Sequence, residues 1–214
     1  MRGGGVKLPL LFPQENSKVV RRIIIGLFFS VIGDAFLVYF EYFIFGMFAF
    51  ALAQAVYTTA FGWERTKPLI GAALYLLAIA FVTIIVPGID DIVIKVRPSV
   101  YVLVRGIHEW RLRNFSLFSA QLALPVYGAL LVTMSWRALA RAHSPLTLVT
   151  GLGTLLFVVS DAFIAVHQFY TPLEDFQLIV MTTYFAAQFA ITLTTTEIFR
   201  EETQKWKLEQ SRKH

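Results

Sequence analysis

Two aspartates stand where aspartates are costly. Asp34 interrupts the apolar stretch 22–40, and Asp161 interrupts the apolar stretch 147–169. A charged side chain at the centre of a bilayer costs about 2.5–3.5 kcal/mol on insertion scales, so it is kept only where it faces a bundle interior or a wet cavity. Two carboxyls sharing one low-dielectric pocket cannot both ionise cheaply. One then holds its proton near neutral pH and can donate it, while the other stays ionised and stabilises a cation. That division suits acid-assisted cleavage through an oxocarbenium-like state. It equally suits proton-coupled transport. A pair of protonated carboxyls that merely hydrogen-bond neighbouring helices would also satisfy the pattern.

The aspartates lie in two copies of one segment. Phe28–Leu37 (FFSVIGDAFL) aligns with Leu155–Ile164 (LLFVVSDAFI) at an offset of 127, and the same offset relates Tyr57 to Tyr184. Each copy sets a small residue, Gly33 or Ser160, just before its aspartate. At 1.5 Å per residue, Asp34 falls roughly 18 Å along its stretch from Arg22, and Asp161 roughly 21 Å from Thr147. Both are therefore expected near mid-bilayer. Gln54, Tyr57, Tyr184 and Gln188 fall at comparable depth on the returning stretches, which predicts one polar layer of candidate binding residues. His167, at the end of its stretch, is a weaker candidate, with an interfacial structural role as the plainer reading.

These residues need a scaffold that crosses a membrane. The chain of 214 residues is 57% hydrophobic and only 15% charged, against about 45–50% and 25% in soluble domains. Disorder and an ordinary water-soluble globule are excluded. Six apolar stretches, at about 22–40, 42–61, 68–87, 118–136, 147–169 and 176–196, are each long enough to span, which takes about 20 residues. They are continuous rather than alternating, and rich in Leu, Ala and Phe, so helices rather than a β-barrel are expected. Pro68 suits a helix start and Pro87 a helix stop. The expected fold is an all-α, polytopic membrane bundle of about six transmembrane helices with a parallel repeat of the first and last hairpins. Residues 1–21 form a polar N-terminal segment, 22–198 the transmembrane domain, and 199–214 a charged cytoplasmic tail. Residues 88–117 are expected to be an irregular loop or insertion. That stretch carries a formal glycosylation sequon at Asn114-Phe115-Ser116.

Several chemistries are excluded. The chain has no cysteine, so disulfides, thiolate zinc sites and cysteine nucleophiles are absent. The net charge of +5 comes from basic residues between apolar blocks, which argues against a nucleic-acid partner. The four histidines have no His-x-x-x-His or His-Glu-x-x-His spacing, so no metal is expected. No Gly-x-Ser-x-Gly elbow is present. Gly151-Leu152-Gly153 lacks the strand and third glycine of a dinucleotide fingerprint. Gly3-Gly4-Gly5 has no P-loop context, and Met1–Gln14 does not read as a signal peptide.

The segments Phe29–Leu37 (FSVIGDAFL), Phe45–Phe61 (FGMFAFALAQAVYTTAF), Leu156–Phe169 (LFVVSDAFIAVHQF) and Thr183–Gln188 (TYFAAQ) resemble the YhhN-type lysoplasmalogenase-like membrane family. The resemblance extends over about 22–87 and 122–198. It implies an integral-membrane hydrolase of the vinyl ether bond of lysoplasmalogens, releasing a fatty aldehyde and a glycerophospho-base, in animals at the endoplasmic reticulum. It implies Asp34 and Asp161 as the catalytic pair, and Gln54, Tyr57, Tyr184 and Gln188 around a lysophospholipid substrate; Ser160 and His167 join them as candidate binding residues by their place beside Asp161 and at the end of its stretch. Protonating a vinyl ether needs a carboxylic acid and a nearby carboxylate, and no cofactor. The chain departs from the family pattern in having six spans where about eight are usual. The first hairpin is missing, with Lys7–Phe12 as its remnant. Gln54 stands where His is common, His167 where Asn is common and Phe185 where Tyr is common.

Two other readings stay open: a truncated or divergent non-catalytic protein of the same fold, and a proton-coupled carrier. A missing hairpin would leave an apolar face for a second copy, as in a homodimer. Fourteen of the nineteen Lys and Arg fall in the N-terminal segment, the two loops around 62–67 and 137–146, and the tail. Both ends are thus expected to be cytoplasmic. In sealed vesicles with the cytoplasmic face outward, added protease should remove the tail; a protected tail would reverse the orientation.

Overall fold

The computed structural model describes residues 14–39, 42–64, 66–100 and 107–212, and the side chains among these except at 14–17, 86–123, Phe169, Glu202, Trp206 and Gln210. The continuous apolar runs fold into six helices. These are α1 (Gln14–Leu37), α2 (Phe43–Phe61), α3 (Pro68–Val100), α4 (Ile107–Ala140), α5 (Pro145–Phe169) and α6 (Phe176–Ser211). Among the described residues there is no strand. Helices α2, α5 and α6 and the Pro68–Ile85 part of α3 are long and apolar enough to cross a membrane, and Leu124–Ala140 of α4 is a shorter apolar stretch. The molecule is an all-α, integral-membrane helical bundle.

Local signals set the ends. Ser144 caps α5: its hydroxyl accepts from the Thr147 backbone N–H while Thr147 reaches back, and Pro145 opens the first turn. Gly62 closes α2 with φ of 72°, a conformation glycine adopts without strain. Successive helices run antiparallel. Helices α1, α2, α4, α5 and α6 close into a ring, α6 meeting α1, and α3 packs outside against α4 and α5. The first and last hairpins, α1–α2 and α5–α6, are the two copies of the sequence repeat.

Three boundaries differ from expectation. Residues 88–117 are not an irregular loop: α3 continues through Pro87 to Val100 and α4 begins at Ile107. A proline removes one helix rung without having to end the helix, and α3 carries on past it through the charged residues Asp90, Asp91 and Lys95. Residues 101–106 lie outside the described residues, as do the side chains of Asn114 and Ser116. Helix α1 starts eight residues before the expected span and ends at Leu37 rather than 40. Helix α6 continues as one rod to Ser211, taking in most of the charged tail. Gly3-Gly4-Gly5 and Lys7–Phe12 lie outside the described residues.

Small residues let the hairpins close. A Cβ on Gly26 would strike the Tyr57 ring, and one on Gly33 would lie 2.6 Å from the Phe50 ring. A Cβ on Gly153 would strike Ala190 Cβ and come within 3.3 Å of the Ala187 carbonyl oxygen. At the end of the bundle holding the 62–67 and 141–144 turns, Arg137 is buried at 1% exposure. Its Nε donates to the Gly62 carbonyl at 2.7 Å. The guanidinium lies 4.8 Å from the Trp63 ring centroid and 5.5 Å from that of Trp136.

Gly153→Val should force α5 from α6 and destabilise the protein by about 1–3 kcal/mol. Thermal unfolding in detergent reads this as a lowered Tm. Gly128→Ala, where an added Cβ meets nothing within 4 Å, should leave Tm unchanged or slightly raised.

Candidate active site

Closing the ring brings the polar residues of five helices to one level. The Tyr184 hydroxyl of α6 donates to Asp34 Oδ2 of α1 at 2.8 Å. The Tyr127 hydroxyl of α4 donates to Asp161 Oδ2 of α5 in a short hydrogen bond. The Tyr57 hydroxyl of α2 donates to Gln188 Oε1 of α6 at 3.0 Å. The two carboxyls thus sit on different helices of the ring, each held by a tyrosine from another helix.

Packing aims the tyrosines. The Tyr184 ring stands edge-on to Phe50 and Phe157, with centroids 5.8 and 5.5 Å away. Two phenylalanines from α2 and α5 thus fix the ring whose hydroxyl holds a carboxylate on α1. Tyr57, Phe157 and Gln54 are fully buried.

The layer is polar beyond its own needs. Both amide atoms of Gln54, Nε2 of Gln188 and Oγ of Ser30 are buried without a hydrogen-bond partner among the described residues. An unmade buried hydrogen bond costs about 1–3 kcal/mol. A layer with several such atoms is suited to take up water or a polar ligand group.

Beside the layer lies a cavity of about 500 Å³ between α2, α3, α4 and α5. Its walls include Leu37, Met47, Phe81, Leu124 and Val158, and Asp161 and Tyr127 open onto it. This is a long apolar space with a carboxyl group on its wall, in the size range of small-molecule sites. Asp34 is not among the lining residues. The two carboxyls therefore have different surroundings.

The structure brings together Asp34, Gln54, Tyr57, Asp161, Tyr184 and Gln188. Asp161 and Tyr184 each lie eight residues, about 12 Å, inside the ends of α5 and α6 that their shared turn joins. Asp34 is only three residues from the end of α1, so it is less deep in its own helix than its spacing suggested. Ser160 is buried beside Asp161, but its hydroxyl donates to the Val180 carbonyl at 3.3 Å and ties α5 to α6. His167 stands apart. Its ring stacks on Phe176 at 3.8 Å, and its Nδ1 accepts from the Leu173 N–H at 3.0 Å, bracing the α5–α6 turn. No group of three metal-ligating side chains occurs in the polar layer among the described residues.

Tyr127 was invisible in the sequence reading, as was Ser30. Tyr127 is the single tyrosine of α4, two residues after Pro125, and that is the one signal that could have marked it.

Comparison with known proteins gives the family. The sequence profile of the YhhN family matches residues 6–195. Lysoplasmalogenase TMEM86A of Bos taurus is 33% identical over 193 residues, covering 89% of this chain and 71% of the relative. Lysoplasmalogenase TMEM86B of Sus scrofa is 36% identical over 168 residues, covering 78% of this chain and 60% of the relative. The Homo sapiens TMEM86B is 33% identical over 167 residues, and the chain covers 59% of it. No solved structure matches the chain. With the profile running over nearly its whole length and the paired aspartates in one bundle, the chain belongs to the YhhN family.

Proposed function

We propose that this protein hydrolyses the vinyl ether bond of lysoplasmalogens within the membrane, by general acid catalysis from Asp161. The observation that carries the reading is a carboxyl group on the wall of an otherwise apolar cavity, with a second carboxyl behind it. The alkenyl chain of a lysolipid occupies the apolar cavity and brings its first double bond to Asp161.

Asp161 donates its proton to the β-carbon of the vinyl ether. The double-bond electrons form the new C–H bond, leaving an oxocarbenium ion on the α-carbon and oxygen. Asp34, held by Tyr184, supplies the negative charge that favours this cation. Water adds to the α-carbon and returns a proton to Asp161. The hemiacetal then collapses to a fatty aldehyde and the free hydroxyl of the glycerophospho-base. Tyr127 orients the Asp161 carboxyl. The unpartnered amide of Gln54 and the unpartnered Nε2 of Gln188 are suited to hold the attacking water or the glycerol oxygens. The relatives' names support the substrate class. By the same reading the protein resides in the endoplasmic reticulum membrane, with the segments before Arg22 and after Thr196 on the cytoplasmic side.

The test is aldehyde release from a lysoplasmalogen by protein purified in detergent. Asp161→Asn should lower kcat by about 10²–10⁴-fold, the usual contribution of a general acid. Tyr127→Phe should lower it by about tenfold, the worth of one hydrogen bond. Asp34→Asn should lower kcat with little change in KM. Wild-type turnover in both aspartate variants, or no aldehyde from folded wild-type protein, would overturn the proposal.

A further inference from the structure

A second polar cluster lies at the opposite end of the bundle, where the α4–α5 turn meets α6. One ligand atom each from His143, Glu197 and Glu201 lie within 4.8 Å of one another. Glu197 and Glu201 are four residues apart on α6 and so share a face. Glu197 is buried at 6% exposure. Its Oε1 accepts a short hydrogen bond from the Ser144 hydroxyl. Its Oε2 is buried and has no partner among the described residues. A buried carboxylate oxygen with nothing to bind is a costly feature, and a cation beside it removes the cost.

The histidine is oriented for that task. A carbonyl can only accept, so the 2.5 Å contact to the Arg141 carbonyl makes His143 Nδ1 the protonated nitrogen. This leaves the lone pair of Nε2 free. A ring N–H donated to a backbone carbonyl is the usual support of a metal-ligating histidine. The Thr147 hydroxyl accepts from the His143 and Ser144 backbone N–H groups at 3.1 and 2.9 Å, so the turn is held in place without a metal.

We propose that His143, Glu197 and Glu201 bind one divalent transition-metal ion of the Zn2+ class. One imidazole and two carboxylates suit such an ion better than Ca2+ or Mg2+, which favour oxygen-only shells. The bound ion fastens the α4–α5 turn to α6, apart from the aspartate layer.

The experiment is titration of tag-free, chelator-treated protein in detergent with Zn2+ alone, read by calorimetry and by Tm. Wild type should bind one Zn2+ per chain and gain Tm. Glu201→Gln, at an exposed position, should weaken binding at least about tenfold without lowering the metal-free Tm. Glu197→Gln, which keeps the Ser144 contact, should abolish the Zn2+-induced Tm gain. Non-saturable Zn2+ uptake by wild type, or wild-type affinity in both variants, would overturn the site. An equal Tm gain with Ca2+ would overturn the metal class.

Discussion

A carboxyl group cannot be left alone in hydrocarbon, and the architecture follows from meeting that condition twice. Neither aspartate is satisfied by its own hairpin. Asp34 on α1 takes its hydrogen bond from Tyr184 on α6, and Asp161 on α5 takes one from Tyr127 on α4. The first of these bonds joins the last helix to the first, so satisfying Asp34 also closes the ring. The Tyr57–Gln188 bond adds a third tie, from α2 to α6. Apolar side chains alone would not do this, since lipid tails solvate leucine as well as protein does. Small residues and polar contacts supply the specificity here, through Gly26, Gly33 and Gly153 on one hand and the tyrosine hydroxyls on the other.

The repeat is symmetric in sequence but not in bonding. The offset of 127 equates Asp34 with Asp161 and Tyr57 with Tyr184. A symmetric molecule would pair Tyr184 with Asp34 and Tyr57 with Asp161. Helix α4 stands between α2 and α5 and brings its own tyrosine to Asp161, so Tyr57 turns to Gln188 instead. The outcome is one carboxyl on an apolar cavity wall and one set back from it. Two copies of one motif have become two chemical environments, which is what separate acid and charge-stabilising roles require.

Much of this was legible in the residues. Long apolar stretches interrupted by a single aspartate marked both the spans and the two acids that the bundle gathers into its polar layer, because the cost of burying a charge makes such residues rare. Three things were not legible. Tyr127 looks like any packing aromatic until its partner, 34 residues later, is brought beside it. His167 could be read either as a weak binding candidate or as an interfacial structural residue, and only its contacts with Leu173 and Phe176 show it bracing the turn. His143, Glu197 and Glu201 share no metal-binding spacing along the chain, since two come from one helix and the third from a turn more than 50 residues earlier. Pro87 misled in the other direction: the helix runs through it, at the loss of one rung.

Arg137, flanked by Trp63 and Trp136, fixes the molecule's height. A guanidinium cannot be drawn into hydrocarbon, and indoles favour the headgroup level. That end of the bundle is therefore moored at one interface. Tyr127 lies ten residues away on the same helix, about 15 Å along its axis, so Asp161, which it holds, sits at a set distance below that interface. When the bilayer thins or thickens, the mismatch falls on the opposite leaflet, which must deform or let the bundle tilt. The membrane's near surface thus serves as a datum from which the depth of the carboxyl layer is measured.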